Sequence, residues 1–182
     1  EESEINKLVD RTVDEFDRLD IVLSNAGIGG EGKVEDLDIE DYKAIVETNL
    51  DGAVYLTKAS LPYVRETQGN LIYVGSRSGV HPDPDLPIYA ASKWGRRGFV
   101  LSLEADLGDE GIGFTLVNPA EARTNISDDD GVPLVERYEK GEVMEPEEVA
   151  DVIAFAARQK GHTTLSEVEV YWRGKLDSVF TS

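Results

Sequence analysis

The sequence predicts an α/β fold, a sheet of about four parallel strands with helices on both faces. Short apolar runs alternate along the chain with longer segments whose apolar residues recur at helical spacing. The apolar runs are short and end in glycine or polar residues, as buried strands do. With 182 residues, of which 40% are hydrophobic, the chain is long enough to bury a core as one domain.

Four segments are predicted strands: residues 19–27, 69–76, 112–119 and 166–172. Helical spacing predicts four helices, one before each strand, over residues 4–16, 41–66, 88–111 and 145–158. The second is expected to be one long amphipathic helix with Pro62 near its end. In the last, Pro146 suits the first helical turn.

Charge and composition exclude several classes of function. The formal net charge is −19, from 37 acidic and 18 basic residues, which argues against a nucleic-acid partner. It indicates adaptation to a salty cytoplasm, although an ordinary acidic protein is the alternative. No segment is apolar enough to cross a membrane, and the start EESEINK lacks the pattern of a signal peptide, so a cytoplasmic location is expected. Without cysteine there is no disulfide and no cysteine-ligated metal, and no metal site is predicted.

The loop after the first predicted strand contains the dinucleotide-binding pattern G-x-G-x-x-G, at Gly27, Gly29 and Gly32. A pyrophosphate loop needs a helix that begins at these glycines, whereas the next convincing helix begins around residues 38–41. Acidic residues that would repel phosphate follow the glycines: Glu31, Glu35, Asp36 and Asp38. We therefore interpret the segment as a flexible connection from strand to helix.

Polar and small residues follow three of the strands, at residues 25–27, 75–78 and 118–124. Ligands of open parallel sheets bind at this carboxyl edge. Tyr89 and Lys93 are four residues apart on a predicted helix, so they share a face, and an ammonium nearby lowers the pKa of a phenol. Ser76 ends a strand 13 residues before Tyr89, and Ser78 is the rival hydroxyl.

Five matches, in order along the chain, resemble the short-chain dehydrogenase/reductase family. NAG at residues 25–27 is similar to its Asn-Asn-Ala-Gly motif, with Ser24 in place of the first Asn. Asn49 matches the active-site Asn. Ser76 and the small residue Gly79 fall at the usual distance from the Tyr-x-x-x-Lys centre, here Tyr89 and Lys93. VNPAEART, residues 117–124, is similar to the Pro-Gly-x-x-x-Thr segment, with Ala120 in place of Gly.

The resemblance implies an NAD(P)-dependent oxidoreductase that interconverts a secondary alcohol and a carbonyl, with NADP favoured over NAD. It implies that Tyr89 exchanges a proton with the substrate oxygen, that Lys93 assists it and holds the nicotinamide ribose, and that Ser76 binds the carbonyl. Asn49 would hold a water that links Lys93 to solvent. The implied cofactor-binding residues are Asn25, Ala26, Gly27, Tyr89, Lys93, Pro119 and Thr124.

The resemblance also implies that residues 1–182 form a single partial domain, the carboxyl-terminal part of a Rossmann-like doubly wound sheet that lacks its first βαβα units. It implies a homodimer or homotetramer with a small-molecule substrate. The carboxyl-terminal segment favours enzymes that act on 3-hydroxy acids, with 3-oxoacyl substrates as the other possibility. The alternative hypothesis is a catalytically silent binding or scaffold protein that retained half of the fold.

Residues near these motifs receive structural interpretations. His81 and His162 are expected to be solvated in polar loops. Trp94 is expected to serve packing, and Arg96 and Arg97 to lie on the helix surface or at a subunit interface. None of these five residues is assigned a catalytic role.

Overall fold

A computed structural model describes residues 1–29, 33–127, 131–160 and 163–176. Four strands form one parallel sheet in the order in which they occur along the chain. They are β1 (Ile21–Ser24), β2 (Asn70–Val74), β3 (Gly113–Pro119) and β4 (Glu167–Val170). The predicted parallel sheet is therefore confirmed, with every predicted strand in place.

Helices connect the strands and cover both faces of the sheet. They are α1 (Glu2–Phe16), α2 (Ile39–Val46), α3 (Gly52–Thr67), α4 (Pro87–Leu107), α5 (Leu134–Arg137) and α6 (Pro146–Ala157). α6 begins with Pro146 as predicted, behind a capping box in which the Glu145 and Glu148 side chains satisfy each other's backbone N–H groups. The four-residue helix α5 has no counterpart among the predicted helices.

The long helix predicted for residues 41–66 is wrong in one respect. A single π-helical turn, Glu47–Asp51, separates α2 from α3, and Asn49 lies at its centre. The residues that follow α2 and the π-turn, Glu47 and Gly52, both keep right-handed helical backbone angles. The helical path therefore runs without a break from α2 to α3. A π-turn holds one more residue than an α-turn and frees backbone carbonyls for other partners. The Asn49 carbonyl is one of them.

Alternating residues of the strands build two cores. On one face, Val22, Leu71, Tyr73, Phe114 and Leu116 pack against α3 and α4; we call it the α4 face. On the opposite face, Ile72 and Val117 pack against α6; we call it the α6 face. The alternation follows from the two-residue period of a strand.

β1 lies at one edge of the sheet and is covered on one side only. Val22 and Ser24 are buried towards α3 and α4. Ile21 and Leu23 point to the opposite face and are 47% and 42% exposed. β1 therefore leaves an apolar face uncovered at this edge of the sheet.

Candidate active site

A cavity of about 1000 Å³ opens at the carboxyl edge of the sheet. Its size suits a small molecule or part of a cofactor. Of the four residues with a predicted catalytic role, Ser76, Tyr89 and Lys93 line it, and Asn49 does not. Of the predicted cofactor-binding residues, the cavity is also lined by Asn25, Gly27, Pro119 and Thr124. Residues from four separate segments thus meet in one place, as the strand ends predicted.

Tyr89 and Lys93 occupy successive turns of α4 and are both buried. The Lys93 Nζ lies 5.5 Å from the centroid of the Tyr89 ring. The ammonium donates a hydrogen bond of 3.1 Å to the carbonyl oxygen of Val74, at the end of β2. Burial, followed by the positive charge of Arg96, lowers the pKa of Lys93 well below its ordinary value.

Ser76 caps a 3₁₀ turn, Arg77–Gly79, that follows β2. Its Oγ accepts a hydrogen bond of 3.1 Å from the Ser78 backbone N–H, so the capping contact does not use the hydroxyl proton. The Ser78 hydroxyl instead donates to the Asp83 carboxylate at 2.6 Å. Of the two rival hydroxyls, Ser76 is thus the one that keeps its proton for a ligand in the cavity.

Two glycines allow this close packing. A Cβ at Gly79 would lie 3.0 Å from the Lys93 carbonyl oxygen, so the turn after β2 reaches α4 only because residue 79 has no side chain. A Cβ at Gly75 would collide with the Asn118 side chain. Asn118 uses that space to accept a hydrogen bond of 3.2 Å from the Ser76 backbone N–H. It also donates to Glu167 at 2.7 Å.

Asn49 is fully buried within the π-turn. Its Oδ1 accepts from the Ile28 N–H at 2.8 Å, and its Nδ2 donates to the Ile28 carbonyl at 2.9 Å and to the Ser92 hydroxyl at 3.0 Å. The side chain therefore fixes the loop after β1 against α4. Its role in a water relay stays a prediction.

Ala26 is the one predicted cofactor residue that does not line the cavity. Its side chain is exposed, and its carbonyl oxygen accepts a hydrogen bond from Arg96. The glycine loop leads to a 3₁₀ turn, Val34–Asp36, and then to α2, which is capped by Asp38. No helix begins at Gly27 or Gly29, which agrees with the interpretation that this segment is not a pyrophosphate loop. Glu31 and Gly32 lie outside the described residues.

The structure corrects one of the structural interpretations, because Arg96 does not lie on the helix surface. Arg96 is fully buried, and Arg97 is half-buried in an ion pair of 2.7 Å with Glu167. Trp94 is 43% exposed and so does not pack in the core. His81 is half-buried beside Glu169, and His162 lies outside the described residues.

Sequence reasoning missed Arg96 and Asn118, which organise the site. Arg96 follows Lys93 by three residues, and that spacing on a helix was a signal for a shared face. Asn118, near the end of β3, is the first residue of the predicted site segment 118–124, and only its individual role was missed. Within the described ranges, no group of His, Asp and Glu could hold a metal ion, and no helix is long and apolar enough to cross a membrane.

Comparison with known proteins adds independent observations. Residues 1–131 match the family described as short chain dehydrogenase. A meso-2,3-butanediol dehydrogenase from Serratia marcescens is 31% identical over 159 residues, covering 84% of this chain and 62% of that protein. The closed form of a serine dehydrogenase complexed with NADP+ matches with a TM-score of 0.84 at 26% identity, over 94% of this chain and 72% of that one.

A third protein shows the fold alone. The structure of a 3-ketoacyl-(acyl-carrier-protein) reductase from Brucella melitensis, complexed with NADH, has a TM-score of 0.83 at 22% identity. The match covers 95% of this chain and 74% of that one. The chain thus spans less than two thirds of the butanediol dehydrogenase and somewhat more of the two solved structures.

Proposed function

The chain belongs to the short-chain dehydrogenase family of oxidoreductases, and on this basis we propose that it interconverts a secondary alcohol and a carbonyl with NAD(P). The observation that carries the proposal is the meeting of Ser76, Tyr89 and Lys93 at one cavity. A buried ammonium lies beside the Tyr89 ring, and a cation at that place favours the phenolate over the phenol. This arrangement suits a tyrosine that must both release and accept a proton.

In the proposed reduction, the Tyr89 hydroxyl donates its proton to the substrate carbonyl oxygen, and Lys93 stabilises the phenolate that remains. Ser76 donates a hydrogen bond to the same oxygen and holds it in place. In the oxidation, the Tyr89 phenolate removes the proton from the substrate alcohol. The nicotinamide supplies or accepts the hydride when it is bound.

The residues present fit the nicotinamide end of such a cofactor. A Cβ at Gly27 would lie 3.2 Å from the Asn49 Oδ1 and 3.4 Å from the Lys93 Nζ, so the backbone of this glycine lies directly beside both site residues. Pro119, the last residue of β3, and Thr124 also line the cavity. The cofactor roles of Asn25, Ala26 and Gly27 remain part of the proposal, and for Ala26 only a backbone role is compatible with its position.

Replacing Tyr89 tests the proposal. In the full-length gene product, we expect Tyr89→Phe to lower kcat by about 10²- to 10⁴-fold, the usual contribution of an acid–base group. Cofactor affinity, followed by nicotinamide fluorescence, should change little. Tyr42→Phe is the matched control, because Tyr42 lies exposed on α2. Turnover that survives in Tyr89→Phe would contradict the assignment, and a wild-type protein without any turnover would favour the silent binding protein.

Cofactor preference and substrate class are finer parts of the proposal. The likeness to a serine dehydrogenase complexed with NADP+ supports NADP and a 3-hydroxy acid, with 3-oxoacyl substrates as the alternative. Steady-state kinetics with NADP and NAD on serine, 3-hydroxybutyrate and a 3-oxoacyl thioester would rank these possibilities. A preference for NAD by tenfold or more in kcat/KM would overturn the cofactor assignment.

We also propose that the protein forms a homodimer or homotetramer in a salty cytoplasm. The exposed Trp94 on α4 supports an apolar contact between copies. The net charge of −19 supports a stability that rises with salt, because the Debye length shrinks to about 3 Å at 1 M. Light scattering and melting curves in KCl test both statements. A clean monomer in molar salt, or a Tm that does not rise, would contradict them.

A further inference from the structure

Arg96 is a fully buried arginine, and among the described residues its guanidinium donates hydrogen bonds to backbone carbonyls and to no side chain. Its Nε donates to Asn49 at 2.7 Å, and one terminal nitrogen donates to Val74 at 2.6 Å and more weakly to Ser24 at 3.4 Å. The other terminal nitrogen donates to Ala26 at 3.0 Å. One side chain thus ties the π-helical turn to the ends of β1 and β2, the three segments that surround Lys93.

The Val74 carbonyl is shared by two cations, because it also accepts the hydrogen bond from the Lys93 Nζ. Within the described ranges, neither Lys93 nor Arg96 forms an ion pair with a carboxylate. Asp83, an acid of the cavity wall, accepts a hydrogen bond from the Ser78 hydroxyl. Besides Lys93, the titratable groups that interact electrostatically with Arg96 are Tyr89 on the same helix and Tyr73 on β2.

We propose that Arg96 is a positioning residue that supplies a permanent positive charge behind Lys93, so that Lys93 is the cation that gains and loses a proton. This inference rests on the role proposed above for Lys93. Two cations that share one carbonyl and lack a counter-ion repel each other, and the one that holds its proton less firmly yields. A guanidinium holds its proton more firmly than an ammonium.

The directions of the pKa shifts agree with this division. Burial lowers the pKa of Arg96 to about 10, so its guanidinium remains charged near neutral pH. The pKa of Lys93 is well below its ordinary value, and the charge of Arg96 is one of its two causes. Burial raises the pKa of Tyr73 to about 12, which leaves that hydroxyl neutral, bonded to Thr57. Of the groups around Arg96, Tyr89 and Lys93 are left to exchange protons.

In this arrangement Arg96 and Lys93 have different roles in the site. The fixed charge of Arg96 favours the Tyr89 phenolate whatever the protonation state of Lys93. Lys93 is then free to pass a proton between Tyr89 and the solvent side of the cavity. A purely structural Arg96 would instead leave the proton affinity of Lys93 unchanged.

The test follows the Lys93 proton directly by NMR. The 182-residue chain is labelled with 13Cε-lysine, and Lys93 is assigned by the signal that disappears in Lys93→Met. We expect Arg96→Gln to raise the pKa of Lys93 by at least about one unit, a tenfold change in proton affinity. Arg96→Lys keeps the charge and should raise it less. Arg97→Gln is the matched control, since it removes a neighbouring charge that points to Glu167.

A shift in Arg96→Gln no larger than in Arg97→Gln would overturn the proposal. Should Arg96→Gln fail to fold, the wild-type protein still decides. Lys93 must then lose its proton below the ordinary lysine value of about 10.4, and the Arg96 Nε signal must hold constant through that titration. An ordinary value for Lys93, or an Arg96 that titrates first, contradicts the inference. Neither measurement needs turnover, so a failure of the proposed reaction would be seen separately, in Tyr89→Phe.

Discussion

The two faces of the sheet differ in how completely they are packed. The α4 face holds the larger core, in which β1, β2 and β3 all meet α3 and α4. The α6 face has a smaller core under a single helix and leaves the apolar residues of β1 exposed. Tyr89, Lys93 and Arg96 all belong to the helix of the better-packed face. Side chains that must keep their geometry are thus carried by the element with the least freedom to move.

Two neighbouring residues of β2 measure this difference most directly. Leu71 and Ile72 are each 1% exposed, but they point to opposite faces. We expect Leu71→Ala to lower the free energy of unfolding by about 4 kcal/mol, near the upper end for such changes, because its densely packed neighbours cannot collapse into the space. Urea denaturation followed by circular dichroism gives the value.

Ile72→Ala should cost less, about 2–3 kcal/mol, because α6 can settle onto the smaller side chain. The same denaturation experiment serves for both variants. If Ile72→Ala proves as costly as Leu71→Ala, the two faces are equally well packed and the comparison fails.

The ion pair between Arg97 and Glu167 should make the stability of the fold depend on pH. The Arg97 guanidinium holds the pKa of Glu167 below its ordinary value, so the ionised carboxylate stabilises the folded state. That contribution is present above the unfolded pKa of about 4.3 and is lost as the pH falls through the lower folded value. Glu167→Gln should remove up to about 1 kcal/mol at pH 7 and flatten this dependence.

Thermal melts of the wild type and Glu167→Gln between pH 3 and pH 7 test this expectation. The control is Glu40→Gln, since Glu40 forms an exposed pair with Lys43 and should contribute little. An unchanged slope in Glu167→Gln would show that the ion pair does not favour folding.

The smallest effect is expected on the uncovered side of β1. Ile21 is half in solvent, so Ile21→Thr should change the free energy of unfolding by no more than about 0.5 kcal/mol. Denaturation of the 182-residue chain provides the measurement. A loss above about 2 kcal/mol would mean that something covers this strand in solution.

The elements that sequence could predict are those fixed by local pattern. Apolar runs such as residues 69–76 located the strands, and the four-residue spacing of Tyr89 and Lys93 placed them on one face of α4. The shared cavity followed from the rule that parallel strands present their carboxyl ends at one edge. The family resemblance and the match over residues 1–131 agree with this. The partial-domain hypothesis and the individual residue roles stay predictions.

Other features depend on partners that are distant in sequence. Charge alone predicted an exposed Arg96, because a buried guanidinium is costly unless its donors are satisfied. Its acceptors belong to segments between 22 and 72 residues away, and no local pattern reveals that they converge. The π-turn could not be predicted from the sequence for a related reason. An extra residue leaves the apolar periodicity on each side intact, and its freed carbonyl finds a partner only in the folded chain.

The π-turn makes the length of the segment between α2 and α3 as important as its composition. Each residue of a helix turns the chain by about 100°, so deleting one residue within Glu47–Asp51 would rotate one helix against the other by that angle. Either Ile45 would leave the core or Asn49 would swing away from Ile28. A single-residue deletion scan across α2 and α3 should therefore show its sharpest intolerance here, where substitutions that keep the count are milder.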